Sequence, residues 1–144
     1  MTPHPSQGLL RTFVDTSAYF AFTSSQDAFH QSAQTIALRL AAERWRLFTT
    51  NFVVAETHAL LLARLGRVIA LNFLREIDRS STTALRVSPA DEERAREILV
   101  QYDDKNFSLT DATSFAVMER FGILHALAFD RNFAQYGLSV LSVD

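Results

Sequence analysis

The sequence contains no cysteine, which excludes disulfide frameworks, thiolate metal sites and cysteine nucleophiles, and is compatible with a reducing compartment. Glycine and proline are scarce, at 4 and 3 in 144 residues, leaving few irregular stretches and no low-complexity segment. No apolar run approaches the ~20 residues of a membrane helix. The opening MTPHPSQG is polar and turn-rich rather than a basic segment followed by an apolar core. The expectation is a cytoplasmic protein with no membrane attachment, residues 1–8 forming a loose tail and residues 9–144 one domain. Excess charge is also lacking: 14 Lys plus Arg against 16 Asp plus Glu leave a net charge of −2. No overall positive field therefore announces a nucleic-acid partner, and none is excluded by that balance. Lys105 is the single lysine; the other basic residues are arginine, which suits bidentate contacts to phosphate or carboxylate.

What is present is apolar and regularly spaced. Hydrophobic residues make up 48% of the chain, and a domain of this length buries roughly 70% of its unfolded surface, enough for a substantial core. Phe13 and Val14 form a short apolar run that stops at Asp15, where a buried strand would end and a helix through Ala18, Tyr19 and Phe22 begin. A second helix is expected with Phe29, Ala33, Ile36, Ala37 and Leu40 facing inward and Asp27 in its first turn. Residues Trp45–Asn51 read as a second strand with Asn51 as helix cap. Phe52–Leu65 read as a strongly apolar helix closed by Gly66. A helix over Val68–Ile77 and a third strand over Ala84–Val87 follow. Ser88 and Pro89 then supply an N-cap and first helical residue, with Ala95, Ile98, Leu99 and Tyr102 inward. Asp103–Ser108 is a loop, Thr110 and Asp111 open a helix ended by Gly122, and His125–Phe129 is a strand stopping at Asp130. A short helix over Arg131–Tyr136 and an edge strand over Ser139–Val143 complete the chain. Alternating strands and helices argue for an α/β fold with a mainly parallel sheet.

Four acidic residues stand out. Asp15 and Asp130 each follow an apolar strand, and open α/β sheets place ligand sites at such carboxyl ends. Asp111 lies in a helix first turn beside the inward residues Ser114, Phe115 and Met118. Glu56 sits among Phe52, Val53, Ala59, Leu60 and Ala63. A carboxylate inside an apolar stripe costs several kcal/mol unless it is paired or coordinates a cation. Taken singly, each aspartate is as readily a cap and Glu56 as readily an arginine partner; together the four suggest one shared site for a hard cation such as Mg2+ or Mn2+. His58, two residues from Glu56, points to another helix face. His30 reads as a helix-surface residue, Trp45 as packing or a subunit contact, and most of the 12 Phe as core rather than base-stacking residues. Asp103, Asp104 and Asn132 are candidates for supporting positions near the cation.

Four stretches, FVDTSAYFAF, NFVVAETHALL, DKNFSLTDATSFAVMERFGI and LAFDRNFAQYGLSVL, resemble in order and register the PIN-domain family, in particular its VapC-like ribonucleases. The resemblance implies a three-layer α/β/α sandwich around a five-stranded, mainly parallel sheet, with a metal-dependent nuclease centre built from Asp15, Glu56, Asp111 and Asp130. Thr16, Ser17 and Thr110 match the family's supporting hydroxyl positions. The implied reaction is hydrolysis of RNA phosphodiester bonds by water activated on one or two Mg2+ or Mn2+ ions, leaving 5′-phosphate and 3′-hydroxyl ends. Arg131, Lys105, Arg64 and Arg67 are candidates for RNA-phosphate contacts. A cognate antitoxin protein and a homodimer, with the N-terminal helices as interface, are the partners implied. Two rival readings stand beside this one. A non-catalytic PIN module would bind RNA or protein through the same fold, and another phosphoryl-transfer enzyme would share the α/β pattern. A haloacid-dehalogenase-like phosphatase needs a second Asp two residues after the first, where this chain has Ser17.

Overall fold

The computed structural model describes residues 10–144; the expected N-terminal tail lies outside them. Its sheet has five strands, β1 (Arg11–Val14), β2 (Arg46–Thr50), β3 (Thr83–Leu85), β4 (His125–Leu127) and β5 (Ser139–Val140). They are ordered β3-β2-β1-β4-β5 and every pairing is parallel. The crossovers are helical: α1 (Thr16–Thr23) and α2 (His30–Ala42), α3 (Asn51–Leu65) and α4 (Arg67–Arg79), α5 (Pro89–Gln101) and α6 (Leu109–Phe121), and α7 (Asn132–Tyr136). The expected α/β fold with a five-stranded parallel sheet is borne out.

Strand periodicity divides the core into layers. Phe13 and Ala126 pair across β1 and β4, as do Val14 and Leu127, and successive side chains alternate between faces. Phe13 and Ala126 pack with Val53, Ile98, Phe115, Met118 and Phe133, the layer of α3, α5, α6 and α7. Val14 and Leu127 pack with Ala18, Ile36 and Leu40, the layer of α1 and α2. A parallel strand covered on both faces must be apolar throughout, which explains the uninterrupted Phe13-Val14 run. Fully buried Phe133 stacks on Phe13 at 6.0 Å and meets Phe115 edge-on at 5.0 Å. That wedge fixes the start of α7, and with it the turn carrying Asp130 to Asn132.

Several boundaries differ from the sequence expectation, each because a side chain intercepts the backbone. Thr50, not Asn51, caps α3, its Oγ1 accepting from Val53 N at 3.1 Å. Asn51 Oδ1 instead accepts from Val87 N at 2.9 Å, drawing Val87 out of the ladder, so β3 ends at Leu85. β4 ends at Leu127 rather than Phe129 because Phe129 N donates to Ser17 Oγ at 2.9 Å. β5 ends at Val140, which pairs with Ala126, so it is shorter than the expected Ser139–Val143. Asp27 precedes α2 instead of entering its first turn; its Oδ1 accepts from Phe29 N at 2.8 Å, an Asx turn. Phe29 thereby becomes the residue before the helix and is exposed rather than inward.

Candidate active site

The strand order places a topological switch at β1: the chain leaves it toward β2 on one side, and β4 arrives on the other. Ligand crevices form outside the carboxyl ends of strands at such a switch. Asp15 is the residue after β1. Its Oδ2 accepts from Ser17 N at 3.2 Å and Ser17 Oγ at 2.8 Å, capping α1. Since Ser17 Oγ also accepts from Phe129 N, this hydroxyl ties Asp15 to the segment leading into Asp130.

Asp111 is the third residue of α6. Its Oδ2 accepts from Ser108 N at 2.9 Å while Ser108 Oγ accepts from Asp111 N at 3.0 Å, a reciprocal capping box. The same Oδ2 accepts from Asn132 Nδ2 at 2.8 Å. Asn132 N donates in turn to Asp130 Oδ1 at 3.0 Å. One residue thus holds two carboxylates in fixed relation. Ser108 escaped the sequence reading, although the pattern Ser108-Leu109-Thr110-Asp111 is the spacing a capping box requires.

Glu56 corrects the sequence expectation. It is exposed, and the buried line of α3 is Val53, Thr57 and Leu61. A helix apolar on nearly every side offers no periodic clue to its inward face. Thr57 Oγ1 donates to Thr16 Oγ1 at 3.2 Å inside the core, so Thr16 ties α1 to α3 and has no bond to the carboxylates. Asp130 is also exposed, whereas Asp15 and Asp111 are buried.

The carboxylates feel one another. Burial, then the charge of Asp130, push Asp15 up to about 7 against the pull of the Ser17 bonds, with Asp111 adding to the rise. Partial desolvation of its carboxyl raises Glu56 although the residue as a whole is exposed, Asp111 and Asp130 adding to the shift while the Thr110 hydroxyl opposes it. Burial, then Asp130, raise Asp111 against its bonds to Ser108 and Asn132. Burial and like charge both disfavour ionisation, and among the described residues no Arg, Lys or His forms a salt bridge with any of the four. Each aspartate has one oxygen tied by hydrogen bonds; Asp15 Oδ1, Asp111 Oδ1 and Asp130 Oδ2 accept none from the described residues. Hard oxygens, uncompensated charge and free acceptor positions suit a divalent cation in chemistry. Among the described residues no three such side chains are already arranged as a cage for an ion, so shared coordination requires the free oxygens to turn inward.

The remaining candidates separate. Arg64 lies with Asp130, Ser17 and Phe29 around a depression of about 270 Å³. Arg131 and Arg67 are exposed, and Lys105 Nζ pairs with Asp104 Oδ2 at 3.1 Å. Asp103 is exposed. His30 Nδ1 donates to Ala21 O at 2.7 Å, joining α1 to α2. Trp45 packs edge-on against His125 at 5.4 Å, half-buried at the edge of the core and in keeping with the packing reading of the two the sequence offers.

Fold and site together define a class, a parallel three-layer α/β domain with an acidic centre at the carboxyl edge of its sheet. The chain belongs to the PIN domain family, whose sequence profile matches residues 12–138, and the resemblance carried by the four motifs is borne out. It is 39% identical over 126 residues to the 23S rRNA-specific endonuclease VapC20 of Mycobacterium tuberculosis, covering 87% of this chain and 93% of that protein. It is 27% identical over 118 residues to ribonuclease VapC26 of the same organism, covering 82% of this chain and 85% of that one. The crystal structure of VapC20, described as a sarcin-ricin loop cleaving toxin, superposes with a TM-score of 0.83 at 36% identity, over 91% of this chain and 98% of that one. FitAcB from Neisseria gonorrhoeae shares the fold, with a TM-score of 0.63 at 13% identity over 92% and 97% of the two chains.

Proposed function

We propose that this chain is a metal-dependent endoribonuclease and the toxin of a toxin–antitoxin pair, with Asp15, Glu56, Asp111 and Asp130 as its metal-holding residues. The observation that carries the reading is the gathering of four carboxylates from separate parts of the chain, with no cation paired to them among the described residues. A bound Mg2+ or Mn2+ ion would lower the pKa of water and stabilise charge on the phosphoryl oxygens during in-line attack. The chain's own residues prepare that site. Ser17 and Asn132 fix one oxygen of each aspartate and leave the other free. Burial and Asp130 push Asp15 up to about 7, and a bound cation would favour its charged form, since ligands must be deprotonated to coordinate. Arg64, beside Asp130, is the best placed of the four basic candidates to meet a phosphate.

The likeness to a 23S rRNA-specific endonuclease supports a ribosomal RNA loop as substrate. An antitoxin protein and a second copy of the chain are the partners this reading brings, and the cytoplasm its place. Among the described residues no helix is long and apolar enough to cross a membrane. The single sheet supports treating residues 9–144 as one domain.

The test is Mn2+ binding by calorimetry alongside cleavage of a structured RNA. Asp111→Asn is expected to weaken Mn2+ binding at least tenfold and to lower kcat by about 100-fold or more, the scale of losing a positioned ligand. RNA cleavage that persists in chelator, or full activity in Asp111→Asn, would sink the assignment.

A further inference from the structure

The depression beside Asp130 has features that the metal-holding role leaves unused. Phe29 is 45% exposed and lies parallel to Phe129, with ring centroids 5.1 Å apart and planes 12° from coplanar. Phe129 covers one face of that ring. Exposed apolar residues are ordinary on a protein surface, and Leu38 and Val100 are more exposed still. Phe29 differs in its surroundings: it borders the same depression as Asp130, with Phe20 and Leu60 as an apolar lining and Arg64 and Asp27 as polar ones. The Asp27 carboxyl is held there by its Oδ1 bond from Phe29 N, leaving Oδ2 without a partner among the described residues. At about 270 Å³ the space falls just under the ~300 Å³ of the smallest ligand pockets, room for a single planar group.

We propose that this depression is a subsite for one unpaired nucleobase of the RNA, stacked on Phe29 and neighbouring the scissile phosphate at Asp130. The subsite rests on the ribonuclease reading and extends it to substrate choice. Every base offers a π-face to an aromatic ring, so Phe29 selects for an unpaired nucleotide rather than for a sequence. Among the described residues Arg64 supplies the one cation of the depression and takes the adjoining phosphate. Asp27 borders the same depression, where its carboxylate can accept from the donors of a base edge, whether exocyclic amino or ring N–H groups. The subsite places the cut at a loop or bulge, since a base held in a duplex stack cannot reach the ring.

Binding and cleavage test it separately. Short unpaired RNAs carrying 2-aminopurine at each position in turn are titrated with the full chain, because stacking quenches that base without any turnover. At one position the wild-type protein is expected to quench, and Phe29→Leu to lose the quench and bind about tenfold more weakly, the scale of one base–aromatic stack. Phe29→Trp should restore both, showing that an aromatic face is what counts. On cleaved RNA, Phe29→Leu should raise KM by a similar factor with kcat held within about twofold, the signature of lost uniform binding. Unchanged quenching and affinity in Phe29→Leu overturn the subsite even if RNA is cut normally, as does a base never quenched at any position. Phe29-dependent quenching without cleavage leaves the subsite standing and counts against the nuclease reading instead.

Discussion

Asp15 is 3% exposed, and its charged form faces Asp130 and Asp111 across a partly desolvated centre. Its folded pKa of about 7 lies above the model-compound value of 3.8, so between these values the native chain holds a proton that the unfolded chain has lost. Stability from this group is therefore full below about pH 4 and declines as pH rises through 7. A rise of that size corresponds to ~4 kcal/mol at most, and less where the neighbouring carboxylates share the protons. Asp15→Asn keeps an acceptor for Ser17 and removes the charge. In chelator, the variant is expected to be more stable than wild type by about 2–3 kcal/mol at pH 8 and nearly equal at pH 4. Adding Mn2+ should narrow or reverse the order at pH 8, because only the wild type gains fully from ligand linkage. Urea unfolding at the two pH values, with and without Mn2+, checks both statements; a variant less stable at pH 8 in chelator would show that the Asp15 charge is already compensated. Asp15 was legible from sequence because strand, cap and helix meet there within a few residues. Phe29 was not: its spacing fitted the inward stripe, and the Asx turn at Asp27 moved it to the surface.

At the scale of elements, the helix pair α5 and α6 is closed by an ion pair outside the acidic centre. Asp91, 3% exposed, caps α5 with Ser88 and accepts from Arg120 Nε at 2.9 Å and Nη2 at 2.7 Å. Burial alone would raise the Asp91 carboxyl, and the bonds from Arg120 and Ser88 outweigh it and hold it low. A lowered carboxyl contributes stability above its unfolded value and loses it as pH falls through the folded one. Removing the arginine leaves a buried carboxylate half-satisfied. Arg120→Ala is expected to cost about 2–3 kcal/mol at pH 7, the low end for a broken buried pair because Arg120 is itself solvent-facing, and Arg120→Ala with Asp91→Asn should recover part of that loss. Chemical unfolding measures both; a cost below ~0.5 kcal/mol would mean Ser88 suffices for Asp91. Since α6 carries Asp111 at its start, this clamp also steadies the acidic centre from the far end of the helix. Helix limits were largely readable here, because Ser88-Pro89, Gly66 and Gly122 are local signals. Strand ends were not, because Asn51 with Val87 and Ser17 with Phe129 are bonds between residues 36 and 112 apart, and a local pattern carries no trace of them.

The whole molecule has too little positive charge to collect RNA by its field. Its net charge is −2, and two of its arginines, Arg94 and Arg120, are occupied by Glu97, Glu119 and Asp91. Lys105 is paired with Asp104. Of the basic candidates for phosphate contact, Arg64, Arg67 and Arg131 remain unpaired among the described residues. Single-stranded nucleic acid releases counterions with a slope of about −0.7 per neutralised phosphate. Three such contacts predict that the logarithm of the RNA association constant falls with the logarithm of salt concentration at a slope near −2, from about −0.7 per contact. Between 50 and 200 mM salt, affinity should then drop only about twentyfold, against the ~10³ or more of proteins with six to ten phosphate contacts. Fluorescence anisotropy with a short RNA over that range, at constant Mn2+, gives the slope directly. Arg64→Gln should make it shallower by about 0.7, because one phosphate contact is gone, while Phe29→Leu should lower affinity at every salt concentration and leave the slope unchanged. A wild-type slope steeper than about −4 would require six contacts at −0.7 each, twice what these arginines supply, and would move the RNA to a different face of the molecule.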